Sequence, residues 1–265
     1  MTEQSLITTI DKRGVARLTL NRPEVRNAFD EGLIHNICDT MGRLGADENV
    51  RIIVLTGTGS VFCAGADLNM MSRVAGYTQT ENTDDARRLA HMLWSIYHSP
   101  KPTIARVNGP AMGGGLGLIA ACDISIGVDD AFFALSEVRV GLIPAVISPF
   151  VIEAIGPQQA RRYFLSGEKF DAERAKELGL LHELSPANEI DERIEKIIKN
   201  ILVGSPNAHK EVKLLISAVA GREIDDRVLN DTAKRIAKIR ASKEGKEGVN
   251  AFLEKRKPNW VAEEE

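Results

Sequence analysis

Glu137 lies within Phe132-Phe133-Ala134-Leu135-Ser136-Glu137-Val138-Arg139-Val140-Gly141-Leu142-Ile143-Pro144, with apolar residues on both sides. A carboxyl in such surroundings is expected to titrate above its ordinary range, because burial penalises the charged form. That suits a general acid or base working near neutral pH. The plainer alternative is a Glu137–Arg139 ion pair on a surface loop. Two strand–glycine–helix transitions offer a second kind of chemistry. One is Leu55-Thr56-Gly57 followed by Phe62-Cys63-Ala64-Gly65-Ala66-Asp67-Leu68. The other is Ala105-Arg106-Val107-Asn108-Gly109 followed by Met112-Gly113-Gly114-Gly115-Leu116-Gly117-Leu118. Small residues let a ligand approach the backbone, and the first N–H groups of a helix have no partner within it. Such donors, with the helix dipole, favour developing negative charge. Two of them aimed at one carbonyl oxygen would form an oxyanion hole. Taken singly, Gly65 could serve a tight turn and the triple glycine could serve close helix packing.

Phosphate motifs fit less well. A Walker A loop needs Lys followed by Ser or Thr after its last glycine, and none is present. Gly115-Leu116-Gly117-Leu118-Ile119-Ala120 matches GxGxxA, but it lies beyond the strand and inside the expected helix, which argues against a dinucleotide site. His35, His91, His98, His182 and His209 are scattered and read as structural. Cys38, Cys63 and Cys122 show no metal-ligand spacing and read as reduced and buried, so no metal is expected.

The elements that must position these groups follow from pattern. Ile7 to Leu20 reads as a hairpin turning at Asp11-Lys12-Arg13-Gly14. Asp30 reads as the cap of an amphipathic helix running to about Leu44. Ile52–Leu55, Thr103–Val107 and Ile124–Ile126 read as strands buried on both faces of a parallel sheet. Asn69 to Thr83 is polar and reads as a mobile loop, with a helix starting at Asp84 or Asp85 and burying Ala86, Leu89, Ala90, Leu93 and Trp94. Beyond Pro157 the chain reads as almost wholly helical, with Ile190, Ile194, Ile197, Ile198 and Ile201 on one face and Ala233, Ile236 and Ile239 on another. The pattern is an α/β protein: a βαβ-type core followed by helices.

Composition sets the outer bounds. A hydrophobic fraction of 43% supports a core, and 34 basic against 37 acidic residues leave a net charge of −3 with no basic block. Nucleic acid and anionic membrane are therefore not expected partners. Met1 to Asp11 carries no apolar leader and no run reaches the length of a membrane span, so the reading is a cytoplasmic protein. Glu263-Glu264-Glu265 reads as a solvated tail.

Taken in order, Asn21-Arg22-Pro23 with Asn27-Ala28, Ala64-Gly65-Ala66-Asp67-Leu68, Gly113-Gly114-Gly115 with Cys122-Asp123, and Phe252-Leu253-Glu254-Lys255-Arg256-Lys257-Pro258 resemble the crotonase (enoyl-CoA hydratase/isomerase) family over nearly the whole chain. The resemblance implies a crotonase-like spiral of ββα turns over residues 1–200 and a helical trimerisation region over 201–265, assembled as a homotrimer or as a hexamer of two trimers. It implies an acyl-CoA substrate and no cofactor beyond the CoA moiety of that substrate. Carried over by position, the N–H groups of Ala66 and Gly114 form the oxyanion hole and Glu137 is the acid/base. Val25, Arg26, Ala28, Ala64 and Leu68 lie along the CoA nucleotide, Lys255 from a neighbouring protomer approaches its phosphates, and Asp67 and Phe252 complete the CoA-binding set. The Asn69–Thr83 loop borders the acyl pocket; Met70 and Met71 read either as lining that pocket or as helix core.

One departure bears on mechanism. Hydratases with two glutamates carry the second in the glycine-rich helix, where this chain has Gly117. A single carboxylate suits proton shuttling in an isomerase, or hydration in which one group activates water and returns its proton. Leu135-Ser136-Glu137-Val138-Arg139 with Pro144-Ala145-Val146-Ile147-Ser148-Pro149 resembles the glutaconyl-type hydratases. That favours water addition to a branched, carboxylated thioester such as 3-methylglutaconyl-CoA, as in leucine degradation. An enoyl-CoA isomerase or thioester hydrolase is the alternative, and a non-catalytic CoA or RNA binder is disfavoured.

Overall fold

The computed structural model describes residues 4–261, so the Glu263-Glu264-Glu265 tail lies outside the described residues. The hairpin forms as expected: β1 (Leu6–Ile10) pairs antiparallel with β2 (Val15–Leu20), and Gly14 takes φ +81° to turn between them. Asp30 caps α1 (Glu31–Ala46) by accepting the Leu33 N–H at 2.9 Å. From there the chain winds in repeated turns, each laying a long strand in one sheet and a short extended segment beside it. The long strands are β3 (Ile52–Gly57), β4 (Thr103–Val107) and β6 (Ile124–Val128). Between them come α2 (Leu68–Val74), α3 (Gln79–Tyr97), β5 (Ala111–Met112) and α4 (Gly114–Ala120).

β7 (Phe132–Ala134), α5 (Ser148–Ser166), β8 (Lys169–Asp171), α6 (Ala172–Glu177) and β9 (Glu183–Ser185) complete the layers. The first sheet runs β1-β2-β3-β4-β6-β9, parallel after the hairpin, and the second runs β5-β7-β8. Two isolated bridges, Phe29 to Ala66 and Cys63 to Ala111, extend the second layer backwards along the spiral. Ile52, Ile53, Val54 and Leu55 are buried on both faces of the first sheet, as their unbroken apolar run requires. α7 (Ile190–Leu202) packs on β6 and β9 through Ile190, Ile194 and Ile198. Then α8 (Pro206–Val219), α9 (Asp226–Ala241) and α10 (Lys243–Leu253) close the chain.

Three expectations need correction. Asn69–Thr83 is largely helical. The Asp67 carboxylate caps α2, and α3 starts at Gln79, where Thr78 and Glu81 form a capping box with side chain and backbone bonds both ways. Gln79–Asp84 is exposed, so no apolar stripe advertised these turns. On α3 the buried residues include Met92, Leu93 and Ile96, while Trp94 is exposed and stacks on His98. Beyond Pro157, β8 and β9 interrupt the helices, each too short at three residues to show a period.

Candidate active site

Three segments far apart in sequence converge on one cavity of about 530 Å³. Its polar floor is made by Ala66, Gly113, Gly114 and Glu137, and its walls by apolar residues such as Met70, Leu89, Leu142 and Ile147.

Gly65 joins the two glycine-rich segments. It adopts φ +90°, and a Cβ there would lie 2.9 Å from the Met112 carbonyl oxygen and 3.4 Å from the Gly114 nitrogen. Only glycine allows so close an approach with a left-handed backbone. The neighbouring loop is held by Phe29 N–H donating to the Gly65 carbonyl (2.8 Å) and Asp67 N–H donating to the Phe29 carbonyl (3.0 Å). Among the described residues neither the Ala66 N–H nor the Gly114 N–H has an acceptor. Gly114 opens α4, where a helix leaves its first donors unpaired. Below it, Phe29 is 1% exposed, and its ring would stand 2.2 Å from any Gly114 Cβ. Phe29 is a site residue that sequence reading missed. The nearest signal was its place after Asn27-Ala28.

Glu137 opens a short 3-10 turn that ends at Gly141, φ +75°. Its backbone carbonyl accepts from the Leu142 N–H at 3.0 Å. Its side chain folds over Gly113, whose φ of +49° and ψ of −119° no other residue adopts easily. The carboxylate Oε2 is buried with no hydrogen-bond partner among the described residues. An orphaned buried carboxylate oxygen is costly and calls for an explanation. Burial pushes the Glu137 carboxyl above its usual range, against a smaller opposing backbone hydrogen bond. Arg139 is exposed and packs beside Gly167, so the surface ion pair does not form.

The other expected site residues divide. Ala64 and Leu68 line the cavity, Leu68 with 81% of its surface exposed. Met70 and Met71 line it too. Arg26 reaches the wall through its backbone, its carbonyl accepting the Ala64 N–H at 3.0 Å, while its side chain is exposed. Val25 beside it does not line the cavity. Ala28 is buried and its carbonyl accepts from Arg22. Asp67 is 3% exposed and accepts from the Asn69 and Met70 N–H groups and from Arg22. Burial pushes its carboxyl up, but those hydrogen bonds and the Arg22 charge outweigh that and hold it below its usual range. Asp67 therefore holds the loop that carries Ala66. Phe252 is 82% exposed and Lys255 is exposed at the end of α10, and neither lines the cavity of its own chain.

Gly117 is buried in α4, and a Cβ there would meet Ile147 Cγ2 at 2.5 Å. The space that a second carboxylate would need is filled by Ile147. None of the five histidines lines the cavity; His182, for example, accepts the Ser125 N–H through Nδ1 at 3.0 Å.

The parallel-sheet spiral thus turns two unpaired backbone donors and the Glu137 carboxylate into a single, largely apolar cavity. Comparison with known proteins gives the family. The family model for enoyl-CoA hydratase/isomerase matches residues 11–263, and the chain belongs to that family. A Thermus thermophilus protein provisionally named an enoyl-CoA hydratase is 34% identical over 95% of this chain and 99% of its own length. The crystal structure of an enoyl-CoA hydratase from Shewanella pealeana superposes with a TM-score of 0.94 at 42% identity, covering 98% of this chain and 97% of that one. An enoyl-CoA hydratase from Mycobacterium smegmatis superposes with a TM-score of 0.92 at 33% identity, over 98% of this chain and 100% of that one.

Proposed function

We propose that the protein adds water across the C2=C3 bond of an α,β-unsaturated acyl-CoA, with Glu137 as its single acid/base. The observation that carries this is the unpartnered, buried Glu137 carboxylate in one cavity with the free N–H groups of Ala66 and Gly114. The thioester carbonyl oxygen accepts from those two donors. Glu137 takes a proton from water as the water oxygen bonds to C3. Electrons move from C2=C3 onto the carbonyl oxygen, and the enolate is stabilised by donors that need no rearrangement. Glu137 then returns the proton to C2, so that one water is added and the carboxylate is restored. A raised pKa serves both halves, because a proton gained at one step must be given up at the next.

The acyl end is the finer question. The sequence resemblance points to a branched glutaconyl thioester, and the broad apolar wall of Met70, Met71, Leu89, Leu142 and Ile143 supports a branch. A terminal carboxylate has less support: among the described residues the ionisable side chains lining the cavity are Asp85 and Glu137, both acidic. The reading favoured here is a branched enoyl-CoA with an uncharged end. Crotonyl-, 3-methylcrotonyl- and 3-methylglutaconyl-CoA, each run in water carrying heavy oxygen and deuterium, test it. Hydration places heavy oxygen at C3. Deuterium exchange without oxygen uptake would replace the hydratase reading with an isomerase.

The family assembly is part of the same proposal. Val212, Leu214 and Ile216 on α8, and Leu229 and Ile236 on α9, are exposed in the single chain. They support a trimerisation region over 201–265, with Lys255 reaching the CoA of a neighbouring protomer. A monomer by light scattering at micromolar concentration would remove that part of the reading.

A further inference from the structure

α3 shows the cavity Asn82, Asp85, Ala86 and Leu89, a face repeating at three- and four-residue steps. Asp85 is the anomaly on that face. It is 9% exposed, yet a charged residue is seldom so buried unless fully paired. Its Oδ1 accepts from Arg88 Nη2 at 2.9 Å, while Oδ2 has no protein partner among the described residues and stays open to the water of the cavity. Arg88 is itself 53% exposed and does not line the cavity. An (i, i+3) pair needs only a solvated helix face, so the pairing does not explain why Asp85 is turned inward.

From this placement we propose that Asp85 is a specificity-determining residue, which selects acyl groups with uncharged ends by repelling a terminal carboxylate. The inference deepens the hydratase reading and rests on it for the identity of the ligand as an acyl-CoA. Glu137 adds a second negative charge to the same cavity, so an anionic acyl end meets repulsion from two sides and no lining cation among the described residues. The cavity walls are apolar, which limits screening by water. At a separation of about 10 Å and an effective dielectric of about 20, one fixed charge disfavours another by roughly tenfold in affinity.

The test reads binding, so that it does not depend on turnover. Hexanoyl-CoA and glutaryl-CoA are close in length, are saturated and differ in the terminal carboxylate. Their dissociation constants are measured by calorimetry on wild type, Asp85→Asn and Asp85→Glu. Wild type is expected to bind glutaryl-CoA about tenfold or more weakly than hexanoyl-CoA. Asp85→Asn keeps an acceptor for Arg88 and should narrow that gap by about tenfold, the share of one fixed charge, with hexanoyl-CoA affinity unchanged within about twofold. Asp85→Glu keeps the charge and should keep the gap. Equal affinities in wild type, or a gap as wide in Asp85→Asn as in wild type, overturns the proposal. Loss of affinity for both ligands in Asp85→Asn would overturn it too, by assigning Asp85 to structure. A charge-dependent gap in a protein that hydrates no enoyl-CoA would leave Asp85 as the selector and remove the hydratase reading instead.

Discussion

A Cβ placed on Gly113 would stand 3.0 Å from Glu137 Oε1. The Glu137 carboxylate thus rests on a residue that has no side chain, one position before the Gly114 donor. Gly113→Ala would push Glu137 aside and impose a side chain on a backbone at φ +49°, ψ −119°. A displacement of about 1 Å from a productive geometry can cost about 10²-fold in rate. We expect kcat to fall by about that factor, while KM for crotonyl-CoA moves much less. A variant with wild-type kcat would separate Glu137 from the position of Gly113.

Glu137→Gln should reduce kcat by at least about 10²-fold, in line with loss of a general acid/base. The same change should stabilise the fold at pH 8. The folded-state pKa is raised by burial, so the folded protein holds the proton more tightly than the unfolded chain does, and ionisation costs stability as pH rises through the folded value. Below the unfolded pKa both forms are neutral and the advantage should vanish. Thermal melts of wild type and variant at pH 4 and pH 8 check the sign. In wild type the acidic limb of the kcat/KM profile should lie above the ordinary glutamate range.

Gly114→Pro and Gly114→Ala form a matched pair. Both carry a Cβ that meets Phe29, but only proline removes the N–H. Gly114 is the first residue of α4, where proline breaks no helical hydrogen bond. The Cβ clash is therefore common to both variants, and once the proline ring's extra strain on Gly113 is read from the melting temperature of each, the difference in kcat reports the donor. Proline should be slower than alanine by about 10²–10³-fold in kcat. Equal rates in two folded variants would remove Gly114 from the oxyanion hole.

Restoring a carboxylate with Gly117→Glu should fail for a steric reason before an electrostatic one. Even Gly117→Ala brings a Cβ to within 2.5 Å of Ile147 Cγ2, and Leu93 Cδ1 follows at 3.3 Å. Overpacking of this kind typically costs about 1–3 kcal/mol. If the two side chains compete for one space, Gly117→Ala/Ile147→Ala should lose less stability than the sum of the two single variants. If the single variant melts as wild type does, the helix has more room than its packing indicates.

Much of this protein was determined by local sequence. Buried strands such as Ile52–Leu55, the Asp30 cap and the hairpin turn at Gly14 each rest on a few adjacent residues, and each formed where its pattern placed it. Glu137 among apolar neighbours, and glycines where backbone must stay bare, were legible for the same reason. Tertiary structure decided what those residues touch. Asp67 is tied into its loop by Arg22, a partner 45 positions away. Phe29 became the wedge beneath Gly114, and Ile147 took the space beside Gly117. Nothing in its own segment separated Asp85 from Asp84; the packing of α3 turned one into the cavity and left the other in solvent. A local pattern sets which backbone conformations are cheap, but which side chains share a cavity is set by contacts between segments distant in sequence.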